Sequence, residues 1–71
     1  MATMQEAQQV LAENRSRLTE SPSVVGVSTS ILNGDVVILV QMRRNDPNAW
    51  LPTYIGGVRI VGRVVGDIQA L

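Results

Sequence analysis

Apolar positions along this chain follow two different periods, and the change from one to the other divides it into a helical part and a sheet part. Met4, Ala7, Val10, Leu11, Asn14 and Leu18 recur at helical spacing and fall on one face, with Asn14 the single polar member. Thr3 and Glu6 stand at the spacing at which a hydroxyl and a carboxylate each satisfy an orphan amide at a helix start. Glu6 lies at the positive end of the helix dipole, and Arg15 and Arg17 lie near the negative end. Pro22, preceded by Ser21, prevents continuation. These features predict a helix over residues 4–19. Its stripe is narrow and an isolated helix of this length is marginal, so the face is expected to pack on a core rather than wait for a partner.

The second period is two. Residues 24–31 and 36–42 are β-branched runs separated by Leu32, Asn33, Gly34 and Asp35, and Asn-Gly suits the positive backbone angles of a two-residue hairpin turn. Placing Asn33 and Gly34 in the turn sets Leu32 opposite Asp35, Ile31 opposite Val36, Thr29 opposite Ile38, Val27 opposite Val40 and Val25 opposite Met42. One face then carries Val25, Val27, Ile31, Val36, Ile38, Val40 and Met42, with Thr29 its polar member, and the helix is expected there. The reverse face carries Gly26, Ser28, Ser30, Val37, Leu39 and Gln41.

Residues 43–53 form a polar break with a turn cluster at Asn45, Asp46, Pro47 and Asn48. Trp50, at its far end, either caps the open end of the core or stands exposed as a contact. The cap is preferred, because a chain with one Trp and no Phe needs large apolar area inside. Residues 54–69 return to β character after a bend at Gly56 and Gly57. In an unbroken strand Val58, Ile60 and Val64 face the core, and Arg59, Val61, Arg63 and Val65 face away. Gly62 marks either a bulge in one bent strand or, with Arg63, a tight turn between two short ones.

The reading is a single α+β domain over residues 1–71: an N-terminal amphipathic helix on one face of a three- to four-stranded, mostly antiparallel sheet. Such a chain hides only about 60% of the surface its unfolded form exposes. Apolar residues make up 45% and charged residues 17%, a balance too apolar for disorder and too interrupted for a membrane span. The first residues lack the basic and apolar blocks of a leader, so a cytoplasmic protein is expected.

Neither Cys nor His occurs, which removes thiolate nucleophiles, disulfides, the usual neutral-pH base and most transition-metal sites. Asp35, Asp46 and Asp67 belong to different segments, and the hydroxyls between Ser21 and Ser30 lack a base. Gly56, Gly57 and Gly62 lack the strand and following helix of a phosphate cradle. No enzyme activity, cofactor, metal or small-molecule substrate is expected. All six basic residues are Arg, and six acids balance them to zero net charge, which argues against long-range attraction to nucleic acid.

A sheet covered by one helix leaves one face bare. Here that face groups Val37, Leu39, Val61 and Val65 among Gln41, Arg59 and Arg63, an apolar centre with an arginine rim. These seven residues, with Trp50, are the candidate interaction residues. The expected function is a non-catalytic protein-interaction or self-association module, working through this face or a strand edge, as a dimer or higher homo-oligomer. One alternative is a peptidase-inhibitor or propeptide-like module using residues 67–71 or the Trp50 loop. The other is a weak single-stranded nucleic-acid binder using Arg43 and Arg44 with Trp50, although the sheet face has no aromatic platform.

The order of elements also resembles the small α+β module at the N-terminus of some bacterial and plant trypsin-like protease proteins. Val24-Val25-Gly26-Val27, Leu51-Pro52, Ile55-Gly56-Gly57-Val58 and Gly66-Asp67-Ile68 carry the likeness. No nucleophile segment of a protease domain follows Gly66, and no His exists to serve a Ser. The resemblance therefore implies at most a stand-alone relative of a protease-associated accessory module.

Overall fold

The computed structural model describes residues 2–66. Helix α1, Met4–Leu18, starts as its sequence dictates. The Thr3 backbone N–H donates to Glu6 Oε1 at 3.0 Å and the Glu6 N–H donates to Thr3 Oγ1 at 3.1 Å, so the two residues cap each other. At the other end the Thr19 hydroxyl and N–H both reach the Arg15 carbonyl, at 2.7 and 3.0 Å. Asn14 keeps its place in the apolar stripe by donating Nδ2–H to the Val10 carbonyl at 2.9 Å.

Four strands follow: β1 (Val24–Leu32), β2 (Asp35–Met42), β3 (Tyr54–Ile55) and β4 (Val58–Val64), in the spatial order β1-β2-β4-β3. The architecture is α+β with a mostly antiparallel open sheet, as the periodicity predicts. Asn33 and Gly34 form the β1–β2 turn with φ of 51° and 84°, the left-handed values this turn requires. The expected register holds from Leu32 opposite Asp35 to Val27 opposite Val40. It fails at the open end. A bulge between Val24 and Gly26 brings Val24, not Val25, opposite Met42, and Val25 is 47% exposed.

The β2–β4 pair is parallel, with Val37 beside Arg59, Leu39 beside Val61 and Gln41 beside Arg63. A parallel neighbour cannot be reached by a tight turn. The segment 43–57 makes the crossing and carries β3 within it, which explains why the polar break is long. Gly56 and Gly57 turn β3 into β4 antiparallel, with Ile55 opposite Val58. Gly62 is neither a bulge nor a turn: β4 runs through it, opposite Val40. A Cβ there would meet Leu51 Cδ1 at 3.1 Å, so the glycine makes room for Leu51. The expected β segment reached residue 69, and residues 67–69 lie outside the described part.

The helix packs on one face. Ala7, Leu11 and Leu18 meet Ile38, Val40, Met42, Val58 and Ile60, all buried, with Val10, Val24, Val27, Val36, Ile55 and Trp50 partly buried around them. Each Leu, Ile or Val so enclosed contributes about 1.5–3 kcal/mol. Three residues assigned to this core from alternation lie outside it. Val25 is carried off by the bulge. Ile31 is 63% exposed next to the hairpin turn, and Val64 is 54% exposed at the far end of β4. The outline is elongated, 39 × 22 × 18 Å. Among the described residues, no helix is long and apolar enough to cross a membrane.

Candidate functional site

Strand register, more than any single side chain, defines the surface opposite the helix. Residues of β2 and β4 that alternate with the core positions line up in rows: Ser30, Val37, Arg59 and Tyr54 across four strands, then Ser28, Leu39 and Val61, then Gly26, Gln41 and Arg63, so the face carries one exposed aromatic at its β3 edge where none was expected. The structure therefore brings together six of the eight candidate residues in adjoining rows. Val65 continues the parity just beyond β4, where its N–H donates to the Met42 carbonyl at 2.8 Å.

Accessibility within these rows is uneven. Val37 is 1% exposed although it belongs to no helix-side cluster, so it is closed off on the bare side, at the centre of the sheet between Ser30 and Arg59. Leu39, Gln41 and Val61 are half-buried, while Arg59, Arg63 and Val65 are exposed. The apolar centre open to contact is therefore Leu39, Val61 and Val65. The rows carry Arg59 and Arg63, and Asp35 continues the same face of β2 one row beyond Val37, where it lines one shallow pocket with Arg59, so the face holds both signs of charge with the arginines in excess.

Trp50 lies elsewhere. It packs against the helix-side core, as the preferred reading has it, and the Arg17 guanidinium stacks over its ring at 4.0 Å from the centroid. Arg43 and Arg44 do not take that place. Arg44 Nε–H instead donates to Ser23 Oγ at 3.4 Å.

That bond belongs to a cluster the sequence did not disclose. The hydroxyls of Ser21 and Ser23 donate to Asp46 Oδ2 at 2.9 and 2.8 Å, and the Asn48 N–H donates to Oδ1 at 3.0 Å. Ser23 is 1% exposed, and its carbonyl accepts from the Arg43 N–H at 2.8 Å. The donors stabilise the charged carboxylate: the Ser23 hydroxyl most, then the Asn48 amide and the Ser21 hydroxyl, with Arg44 nearby. They hold Asp46 below its ordinary pKa against the opposing effect of burial. Glu6 is lowered in the same way by Thr3. The arrangement ties the end of α1 to the start of the crossing segment. Asp46 has its oxygens occupied by these donors, which is what a structural clasp needs and a general base does not. The only sequence signal was a Ser-Pro-Ser turn and an Asp before Pro47, and nothing local joins them.

Among the described residues, no group of His, Cys, Asp and Glu is placed to hold a metal ion. The segment 67–71, considered for insertion into a peptidase, lies outside the described part. Compared with protein-family models, with curated proteins and with solved structures, the chain matches none.

Proposed function

We propose that this chain is a non-catalytic protein-interaction or self-association module that works through the bare face of its sheet. The observation that carries the proposal is the alignment of Leu39 and Val61 in one row, with Arg59 and Arg63 in the rows on either side. A face built in this way favours a partner with an apolar centre and acidic groups around it, since apolar burial supplies affinity and the guanidinium groups supply orientation. Absence of His and Cys from the sequence, and occupation of the Asp46 carboxylate by serine donors, both weigh against a catalytic role. The likeness to a protease-associated accessory module is compatible with this reading and adds no site to it.

Leu39→Arg and Val61→Asp test the proposal, because both side chains are half-buried on the side away from the helix and their replacement spares the core. Light scattering across dilution, together with capture of partners from the source cell, is expected to show association weakened about tenfold or more by either change. A strict monomer whose partners and solubility ignore both substitutions would rule the face out.

A further inference from the structure

Strand β1 has a neighbour on one side only, and among the described residues nothing pairs with its outer edge. The Asn33-Gly34 turn fixes which backbone groups that edge offers. Leu32 and Asp35 close the turn as a hydrogen-bonded pair, so by alternation Ser30, Ser28 and Gly26 bond inward to β2, and the N–H and C=O groups of Val27, Thr29 and Ile31 point outward. Beyond the bulge the parity of β1 reverses, and the Ser23 carbonyl accepts inward from the Arg43 N–H.

Sheet edges are normally blunted by charge, proline, shortness or a covering segment. The opposite edge follows that rule, since β3 has two residues and the Thr53 carbonyl accepts from the Ile60 N–H at 2.9 Å. Strand β1 does not. It has nine residues, VVGVSTSIL, with no charge and no proline, and its one interruption is the bulge at Val25.

The sequence of this edge also complements itself. About Ser28 the side chains run outward in matched classes: Val27 and Thr29 are β-branched, Gly26 and Ser30 small, Val25 and Ile31 large and apolar, and Val24 and Leu32 likewise. We infer that β1 pairs antiparallel with β1 of a second copy of this chain, about a two-fold axis through Ser28, joining the two sheets into one. Val27 of each copy then exchanges backbone bonds with Thr29 of the other, using the groups that point outward. The bulge limits the regular ladder to residues 26–30. At each end Val25 comes opposite Ile31, and these residues are 47% and 63% exposed in the single chain. Moving the axis to Val27 sets Ile31 against the buried Ser23, and moving it to Thr29 sets Leu32 against Gly26 and Val25 against Asn33. Only the Ser28 axis matches every class. An isologous contact of this kind closes on itself and does not propagate into a fibre. It is independent of the reading of the bare face, and either stands without the other.

The test uses the intact chain, which has no native Cys. Light scattering across dilution is expected to show a dimer that dissociates. Ser28→Cys places two thiols at a non-hydrogen-bonded pair, where Cα atoms stand about 4.5 Å apart, and is expected to form a disulfide-linked dimer in air. Ser30→Cys, whose counterpart across the axis is Gly26, is expected to cross-link several times more slowly. Thr29→Pro removes an outward N–H that the single chain does not use, so it is expected to retain the far-UV spectrum while raising the dimer dissociation constant about tenfold or more. A chain that stays monomeric at every soluble concentration overturns the inference. So does a folded Thr29→Pro protein with undiminished association, or equal cross-linking from the two cysteine positions. If Thr29→Pro fails to fold, the cysteine contrast alone decides. Leu39→Arg, which acts on the face, is expected to leave this cross-linking unchanged.

Discussion

Among single residues, Asp46 has the most to lose. Replacing it with Ala strands the buried Ser23 hydroxyl as a donor, since the Arg44 Nε–H can donate to its oxygen and cannot accept its proton. Replacing Ser23 with Ala removes the buried group itself and leaves a half-exposed carboxylate that water can serve. Leaving a buried polar atom unpaired costs more than removing it. Asp46→Ala is therefore expected to destabilise more than Ser23→Ala, which itself costs about 0.5–1.5 kcal/mol, as read from urea midpoints. The same site gives the stability a pH dependence. Because the folded pKa of Asp46 lies below its ordinary value, the stabilisation is complete above the unfolded pKa and is lost as pH falls through the folded one. Asp46→Asn is expected to flatten the acid limb of a stability-against-pH curve, and an unchanged limb would show that the clasp does not form. Glu6 acts in the same direction, so some slope remains. At this scale the sequence was legible where partners are close along the chain, as with Thr3 and Glu6. It was not legible for Asp46 with Ser21 and Ser23, or for Arg17 on Trp50, because contacts across so many residues leave no local pattern.

The elements were legible wherever backbone chemistry fixes them. Asn33-Gly34 set the register of β1 on β2 because only a few residue pairs tolerate two successive left-handed conformations. Val24 and Val25 show the limit: two identical residues precede Gly26, and alternation cannot say which one a bulge turns inward. The parallel placement of β4 beside β2 was hidden for a related reason, since periodicity gives the face of a strand but not its neighbour. The two hairpin turns differ in a way that can be measured. Gly34 has φ of 84° and open space around its missing side chain, whereas Gly56 has φ of 57° and would place a Cβ 3.2 Å from Val10 Cγ2 on the helix. Gly34→Ala carries only the left-handed penalty of about 1–2 kcal/mol. Gly56→Ala adds a clash that the packed helix resists, so it is expected to be the more destabilising in thermal or chemical denaturation. Equal losses would mean that α1 yields freely at Val10.

For the molecule as a whole, stability concentrates where neighbours surround a strand on all sides. Strand β2 is paired along both edges, its Ile38 and Val40 are fully buried under the helix, and its Val37 is buried on the opposite side. The helix, by contrast, buries a single stripe of Ala7, Leu11 and Leu18 and turns the rest of its circumference to solvent. A chain of this size has little core to spare, so opening any element exposes a large share of it. Amide exchange resolves the hierarchy, since protection follows the free energy of the opening that exposes each N–H. The slowest amides are expected in β2, at Val37, Leu39 and Gln41 towards β1 and at Ile38 and Val40 towards β4. The N–H groups of Val27 and Thr29 are expected to exchange fast in dilute solution and to slow as concentration rises, because pairing with a second copy would cover them. Slowest exchange in α1 would move the centre of stability from the sheet to the helix. Fast exchange at Val27 and Thr29 at every concentration would separate the fold, which needs only the inner side of β1, from any use of its outer edge.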